Sequence, residues 1–450
     1  MNSFSKKKIT NFKNLKFLLN TSNFRKHNFG YISFLVGLFL LPSALSIGSI
    51  FLLISLIIGL KKFKQNLANE NLNLIFLFGT IFIFISYAIN FFINHTLVTI
   101  PYNEIYSIRY LSTIGLVNWI PLIFAFFIFQ NYLSNDEERK RCAIALILGS
   151  IPVFFSCFSQ FLFDWDETLK TFYGLIVWYQ KPLNKDIGIS GISGLFSNAN
   201  YLAAWLIIIW PFCLSFLIEN KKPIKRIFNF FLVILVGMLI VLSSSRVALF
   251  FLIFPLLIIY RVRIKKLFLG LLGIFSLVIL NLSIPIFGIN FQSFIREIVP
   301  RGIWLNFTKL DYAYKLEYDL SRSDIWIETF KLILKKPLIG YGSNTFSPVF
   351  FNETGYWKGH AHNLPIELIF NYGIPTALFI LLPILFIIFK SIKQTLLIEN
   401  NSKVSITKKG WIIALISIMG MQLVDIQYFD ARISIIGWIL LAGALKIIED

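Results

Sequence analysis

Long runs of apolar residues, separated by short polar segments, make up most of the chain. The runs are about 15 to 25 residues long, the length at which an α-helix crosses a hydrocarbon core of roughly 30 Å. They do not alternate between polar and apolar positions, as the roughly 10-residue strands of a membrane β-barrel do. The pattern therefore predicts an all-α, polytopic helical membrane protein.

Twelve runs are predicted to be transmembrane helices. They cover residues 31–42, 45–60, 73–92, 115–133, 142–163, 200–218, 227–244, 247–260, 267–287, 364–389, 411–424 and 432–447. The first two runs could form one tilted helix, which would give eleven spans, but residues 31–60 as one helix would be about 45 Å long. Because basic residues flank both ends of this block and Pro42-Ser43 offers a break, we expect a hairpin of two short helices.

Composition and charge agree with a membrane protein. Hydrophobic residues make up 56% of the 450 residues and charged residues only 14%, whereas soluble domains carry about 25% charged residues. A net charge of +19 would suggest a nucleic-acid ligand in a soluble protein. Here the basic residues lie between the apolar runs, so membrane topology explains them and no nucleic-acid partner is expected.

The positions of the basic residues predict the orientation. With both termini in the cytoplasm, 27 of the 42 basic residues lie on the cytoplasmic side, as the positive-inside rule requires of short loops. Residues 1–27 are expected to form a retained basic cytoplasmic tail, and residues 28–450 one membrane domain. Residues 288–363 form a predicted external loop between the ninth and tenth spans. Within that loop, the Ser321 to Asp324 segment predicts the start of an amphipathic helix that ends near Lys335.

Arg246 is the only charged residue between Ile227 and Tyr260. If Arg261 marks the cytoplasmic surface, 15 helical steps place Arg246 about 22 Å into a 30 Å core, just below the outer surface. A buried arginine costs about 2.5 to 3.5 kcal/mol to insert, so such a residue predicts a functional site. The alternative is an arginine that snorkels to the surface at an outer hairpin.

His360 and His362 lie immediately before the tenth span. A neutral imidazole at the outer face can take a proton from a hydroxyl group, which predicts a general base. Two alternatives are a polar cap on the following helix and a metal site whose third ligand is Glu353 or Glu367. We expect a general base and no metal.

The residues around His362 resemble a family signature. His362-Asn363, nine residues, Gly373, two residues and Thr376 are similar to the signature of the O-antigen ligase and polymerase superfamily: His, then Asn, Ser or Gln, nine residues, Gly, two residues, then Gly, Thr or Tyr. Three further segments resemble family motifs in the family's order. They are Asn198-Ala199-Asn200 with Leu202-Ala203, Ser245-Arg246, and Ser321-Arg322 with Trp326, Pro337, Gly340 and Gly342. Ala199 departs from the proline often found there, and the N-terminal third resembles the family only in hydropathy.

The resemblance implies a GT-C-like membrane glycosyltransferase of the bacterial inner membrane. It implies transfer of a glycan from a polyprenyl-pyrophosphate donor to an acceptor hydroxyl, on lipid A-core or a similar glycolipid, at the periplasmic face. Transfer would be inverting and would need no cofactor or metal. The resemblance makes His362 the general base and Arg246 and Arg322 the pyrophosphate ligands. Supporting positions are Asn200, Ser245, Trp326, His360, Asn363 and Gly373, of which His360 has no firm family counterpart.

Several other functions stay open. A polymerase that joins lipid-linked repeat units and a protein O-oligosaccharyltransferase would use the same chemistry. The superfamily also includes proteins suggested to take up inorganic carbon, and Asp425 and Asp430 near the outer end of the eleventh span leave a small-solute transporter possible. Against transport, the sequence shows no paired intramembrane carboxylates and no inverted repeat. A structural scaffold is disfavoured because Arg246 and His362 are expected at the same membrane face.

Overall fold

The computed structural model describes residues 28–63, 71–93, 97–100, 104–165, 167–180, 191–259, 277, 281, 284–298, 320–397 and 405–449. Helices dominate these residues, and several helices are long and apolar enough to cross a membrane. The all-α, polytopic membrane class is therefore confirmed. The predicted ninth span, residues 267–287, lies mostly outside the described residues, as does the basic tail at residues 1–27.

The described residues form sixteen α-helices. In chain order these are α1 (Asn28–Leu40), α2 (Leu45–Gly59), α3 (Asn71–Ile93), α4 (Ile108–Gly115), α5 (Ile120–Phe129), α6 (Asp136–Gly149), α7 (Ile151–Phe163), α8 (Ala199–Glu219), α9 (Pro223–Leu242), α10 (Arg246–Ile259), α11 (Ile289–Ile298), α12 (Arg322–Lys335), α13 (Phe346–Thr354), α14 (Leu364–Thr395), α15 (Ile406–Gln422) and α16 (Ala431–Glu449). Two short antiparallel hairpins, which the sequence did not predict, pair β1 (Leu97–Ile100) with β2 (Glu104–Ser107) and β3 (Leu169–Thr171) with β4 (Ile176–Trp178).

Eleven of the twelve predicted spans coincide with helices of the described residues. Seven helical segments there are long and apolar enough to cross a membrane. They are Asn71–Ile93, Arg109–Tyr132, Asp136–Phe163, Ala199–Glu219, Pro223–Leu242, Leu364–Thr395 and Ala431–Glu449. Three shorter apolar helices correspond to α1, α2 and α10. The total of twelve spans therefore stays a prediction.

The first apolar run forms the predicted helical hairpin. Helices α1 and α2 run antiparallel, and residues 41–44 join them. Glycines permit their close approach: a Cβ atom on Gly37 would lie 2.7 Å from the Leu52 side chain, and one on Gly48 would lie 2.9 Å from the backbone nitrogen of Leu41. Small residues at such contacts let membrane helices pack through their backbones.

Helix α8 lies at the centre of the bundle. Of its 21 residues 15 are buried, and the helix packs against α9, α10 and α15. The loop before α8 is joined to the end of α9, because the Ile192 N–H donates to the Leu242 carbonyl over 3.1 Å. The start of α8, the end of α9 and the start of α10 therefore share one end of the bundle.

Helix α14 is interrupted at Gly373, whose φ of +84° and ψ of 168° are not helical. Residues 337–342 cross the helix at this point. A Cβ atom on Gly373 would lie 2.2 Å from the Leu338 carbonyl oxygen, and the Ile374 N–H donates to the Pro337 carbonyl over 2.8 Å. Only glycine combines this backbone angle with so close a crossing, which gives a physical reason for the glycine of the signature.

Helix α12 begins and ends where the sequence predicted. The Ser321 side chain accepts a hydrogen bond from the Asp324 N–H, and the Asp324 carboxylate accepts one from the Ser321 N–H. This reciprocal capping box satisfies two backbone donors at the start of the helix. Ile325 of α12 and Phe370 of α14 belong to one buried apolar cluster. The cluster holds the first residue of α12, Arg322, beside the end of the bundle where α8 and α10 begin.

Candidate functional site

A cavity of about 330 Å³ lies where the N-termini of α8, α10 and α12 meet. Its lining comprises Gly191, Asn198, Ala199, Asn200, Ser243, Ser244, Ser245, Arg246, Val247, Arg322, Met421 and Asp425. Helix N-termini present unpaired N–H groups and a partial positive charge, which favour bound anions. The structure thus brings four of the residues predicted from sequence, Asn200, Ser245, Arg246 and Arg322, to one polar and positively charged cavity.

The two arginines occupy equivalent positions on different helices. Arg246 is the first residue of α10, and Arg322 is the first residue of α12. Both are exposed at the cavity, and neither forms an ion pair with a carboxylate among the described residues. Ser245, the residue before Arg246, is buried. Guanidinium groups in this setting match the paired oxygens of a phosphate or carboxylate ligand.

His362 contacts the cavity through Asp425. The Nδ1 atom of His362 lies 2.8 Å from Oδ1 of Asp425, which follows α15. Burial raises the pKa of Asp425, but the hydrogen bond with His362 and the charges of His360, His362 and Arg322 outweigh it, so the pKa lies below its ordinary value. An ionised Asp425 accepts the hydrogen bond from Nδ1–H, which leaves the lone pair of His362 on Nε2. This tautomer is the one a general base at Nε2 needs.

The Asp425 carboxylate is held by further hydrogen bonds. Its Oδ2 atom accepts from the Asn200 side chain over 3.0 Å and from the Gln427 side chain over 3.1 Å. Asn200 therefore joins the first turn of α8 to the partner of His362. This role of Asp425 was not predicted from the sequence. The available signal was a run of polar residues in the otherwise apolar C-terminal region: Gln422, Asp425, Gln427 and Asp430.

The backbone between the two histidines is fixed from both sides. The Trp326 indole N–H donates to the Ala361 carbonyl over 2.8 Å, and the Ala361 N–H donates to the buried Glu367 carboxylate over 2.8 Å. His362 itself has a φ of +52°, a left-handed conformation uncommon for a residue with a Cβ atom. The two hydrogen bonds help to stabilise this strained conformation. Trp326, a predicted supporting residue, thus positions the loop that carries His362.

Asn363 joins that loop to the turn carrying Asp425. Its side-chain oxygen caps α14 by accepting from the Ile366 N–H over 3.0 Å. Its side-chain nitrogen donates to the Leu423 carbonyl over 2.9 Å. Because Leu423 lies two residues before Asp425, Asn363 fixes the separation between His362 and its carboxylate partner. The asparagine of the signature therefore has both a capping and a positioning role.

His360 lies beside His362 but makes different contacts. Its Nδ1 atom accepts from the His362 N–H over 3.1 Å, and its ring stacks on Phe429. Burial lowers the pKa of His360 to about 4, the charges of His362 and Arg322 act in the same direction, and Asp425 opposes them. His360 is therefore neutral near pH 7. Its Nε2 atom lies 3.9 Å from Oδ1 of Asp425.

The residues that could hold a metal differ from those expected. His360, His362 and Asp425 each offer one ligand atom, and these atoms lie within 4.8 Å of one another. The expectation that Glu353 or Glu367 is the third ligand of the alternative metal site was wrong, because the third ligand atom beside the two histidines belongs to Asp425. Glu353 pairs with Lys335, and Glu367 accepts from the Ala361 backbone.

Asp430, the other carboxylate near the end of the eleventh span, has a structural partner. It forms an ion pair with the buried Arg432, whose Nε atom lies 2.9 Å from the Asp430 carboxylate. Arg432 also donates to the Leu195 carbonyl over 3.1 Å and lies 3.7 Å above the Phe196 ring. Since Asp425 and Asp430 are both engaged, neither resembles the available carboxylate of a coupled transporter.

Comparison with known proteins supports the resemblance seen in the sequence. Residues 230–381 match the family model described as O-antigen ligase. The matched segment includes Arg246, Arg322, Trp326, His362 and Gly373, whereas Asn200 and Asp425 lie on either side of it. A search of curated proteins gave no match. The chain is a membrane protein, and its central segment is similar to members of the O-antigen ligase and polymerase superfamily. The similarity suggests a membrane glycosyltransferase-like enzyme.

Proposed function

With the O-antigen ligase match as the premise, we propose that the protein transfers a glycan from a polyprenyl-pyrophosphate donor to an acceptor hydroxyl. One observation carries the proposal: Arg246, Arg322 and Asp425 line a single cavity, and Asp425 lies 2.8 Å from the Nδ1 atom of His362. The cavity thus offers cations for a pyrophosphate, and one of its lining residues, Asp425, contacts a base for a hydroxyl group.

The arginines and the helix N-termini bind the pyrophosphate in this proposal. A unit-charge pair at 4 Å is worth about 4 kcal/mol at an effective dielectric constant near 20. Arg246 and Arg322 therefore offer enough interaction to stabilise the charge that develops on the leaving group. The N–H groups at the starts of α8 and α10 add to the same positive field. Fixed cations of the protein supply the stabilisation, so transfer is proposed to be metal-independent.

His362 activates the acceptor. Its Nε2 atom takes the proton of the acceptor hydroxyl, and Asp425 stabilises the resulting imidazolium. The hydroxyl oxygen then forms a bond to the anomeric carbon of the donor glycan. On the opposite side of that carbon the bond to the pyrophosphate oxygen breaks, and the electron pair leaves with the polyprenyl pyrophosphate. Attack opposite the leaving group inverts the configuration of the sugar.

The cavity is proposed to face the periplasm of a bacterial inner membrane, with both chain termini in the cytoplasm. The split of basic residues between the two faces supports this orientation. The acceptor is proposed to be lipid A-core or a similar glycolipid. Polymerisation of repeat units and transfer to protein use the same cavity chemistry and differ only in the molecule that supplies the hydroxyl.

Purified protein with lipid-linked glycan donor and acceptor tests the chemistry. We expect transfer that continues in EDTA and is abolished by His362→Ala, because loss of a positioned base costs about 10² to 10⁴ in rate, while donor binding is retained. His360→Ala, the matched control, should lose less activity. Loss of activity in chelator, with recovery on adding zinc or magnesium, would contradict the metal-free mechanism.

The surface glycolipids of cells that lack the protein test the acceptor. A ligase predicts loss of long glycan from its lipid anchor and accumulation of lipid-linked polymer. A polymerase predicts a glycan ladder reduced to one repeat unit. Loss of glycan from proteins alone would indicate a protein O-oligosaccharyltransferase, and unchanged glycans would contradict the proposed function.

A further inference from the structure

We propose that His360, His362 and Asp425 form an inhibitory Zn²⁺ site that excludes the catalytic state of His362. The proposal rests on the proposed function, because it uses the base role of His362. It assigns a role to His360, which the transfer mechanism does not use.

The geometry of the three residues suits a zinc ion. Their ligand atoms lie within 4.8 Å of one another, and Oδ1 of Asp425 lies 2.8 Å from Nδ1 of His362 and 3.9 Å from Nε2 of His360. Tetrahedral zinc with bond lengths of about 2.0 to 2.1 Å places its ligand atoms roughly 3.3 Å apart. Shifts of less than about 1 Å in these two distances, and of at most about 1.5 Å between the two imidazole nitrogens, would accommodate the ion. Two imidazoles and one carboxylate are ordinary zinc ligands.

The ligand atoms are also well anchored before any ion binds. Ala361, between the two histidines, is held by Trp326 and Glu367. Asn200 and Gln427 hold the Asp425 carboxylate through its other oxygen, Oδ2. These two hydrogen bonds can therefore persist when Oδ1 binds an ion. Preorganised ligands reduce the reorganisation that metal binding requires.

Zinc binding and base catalysis require opposite states of the same ring. In the catalytic state Nδ1 of His362 is protonated and donates a hydrogen bond to Asp425, and Nε2 has the lone pair. Zinc on Nδ1 replaces that hydrogen bond, and the proton of the neutral ring then resides on Nε2. A protonated Nε2 cannot accept the acceptor's proton, so a zinc-bound enzyme is inactive. The charge of Arg322, which acts on both His360 and Asp425, weakens the site and suits reversible rather than permanent binding.

Cobalt binding to the full-length protein in detergent tests the site without an activity assay. Co²⁺ should give the visible absorption bands of a tetrahedral nitrogen and oxygen site, and added Zn²⁺ should remove them. His360→Ala should lose these bands, whereas His95→Ala, which removes a histidine elsewhere in the sequence, should keep them. Absence of the bands in the unmodified protein, or their persistence in His360→Ala, would overturn the proposal.

Inhibition of transfer by zinc provides the second test. Buffered free Zn²⁺ should inhibit transfer, and EDTA should restore the rate. Relative to its own metal-free rate, His360→Ala should need at least about tenfold more zinc for half-inhibition, since even loss of an outer-shell partner weakens metal sites 10- to 100-fold. Equal zinc concentrations for half-inhibition of the unmodified protein and His360→Ala would overturn the zinc site. That result would not contradict the transfer mechanism. Activity that depends on zinc would overturn both.

Discussion

Asn200 and Asp425, 225 residues apart in the sequence, share a hydrogen bond of 3.0 Å. The bond joins the first turn of the central helix to the carboxylate that orients His362. Asn200 and Asp425 both line the cavity that holds the two arginines, and Asp425 contacts His362. We infer that Asn200 positions Asp425 for its interaction with His362, whereas the arginines act directly on the donor.

Asp425→Asn should lower the rate of transfer by about 10² to 10⁴. The amide keeps the shape of the carboxylate but loses its charge, so it no longer selects the His362 tautomer with a lone pair on Nε2. Single-turnover rates at saturating donor measure the effect. The control is Asp430→Asn, which removes a carboxylate paired with Arg432 instead of His362. A rate loss in Asp430→Asn equal to that in Asp425→Asn would contradict a specific role for Asp425.

Arg246→Lys and Arg322→Lys should each weaken donor binding by about 10- to 100-fold. Lysine keeps the charge but loses the planar pair of donors, and a hydrogen bond to a charged group contributes about 1.5 to 3 kcal/mol. The dependence of the rate on donor concentration measures the effect. Arg226→Lys at the other end of α9 is the matched control and should bind donor normally. Full activity of Arg246→Lys at limiting donor would favour the snorkelling interpretation.

Gly373→Ala should destabilise the protein more than Gly355→Ala does. Both glycines have positive φ, +84° and +76°, so both substitutions incur backbone strain. Only at Gly373 would the added Cβ meet backbone, 2.2 Å from the Leu338 carbonyl, whereas nothing lies within 4 Å at Gly355. This overpacking should lower the free energy of unfolding of Gly373→Ala by about a further 1 to 3 kcal/mol. Thermal unfolding in detergent measures the difference, and equal unfolding temperatures would show that the crossing at Gly373 is not tight.

The rate in chelating buffer should show no titration of His360 or Asp425 between pH 5 and 8. The pKa of His360 is about 4, so this ring gains its proton only below the range. The pKa of Asp425 is below its ordinary value, so this carboxylate keeps its charge throughout the range. His360→Asn should therefore leave the shape of the pH profile unchanged across this range. A changed shape would show that His360 gains a proton between pH 5 and 8.

A cysteine at Asn352 should react with an impermeant thiol reagent added from outside, and one at Asn401 should not. The positive-inside pattern predicts this orientation. The chain's own cysteines should react little with the reagent, because all three are buried: Cys142, Cys157 and Cys213. The reverse labelling pattern would place His362 in the cytoplasm and exclude the proposed acceptors.

The sequence predicted the helices well because hydropathy is a local property. It also identified four of the twelve residues that line the cavity, because Asn200, Ser245, Arg246 and Arg322 all lie in motifs that resemble one family. The partner of His362 was missed, because Asp425 lies 63 residues further along the chain and only the packing of α14 against α15 brings the two together. The two hairpins were missed because their strands are only three or four residues long.

The interruption of α14 sets the depth at which the proposed reaction occurs. Lys390 is the first charged residue after the apolar part of this helix, and 17 helical steps of 1.5 Å raise Gly373 about 26 Å above it. That distance nearly equals the 30 Å hydrocarbon thickness. With Lys390 at the cytoplasmic surface, as the predicted topology requires, the arm from Leu364 to Tyr372 would lie at the level of the lipid head groups. His362 would meet its substrates in the layer where the phosphates of a membrane-anchored donor reside, and neither substrate would have to leave the bilayer to react.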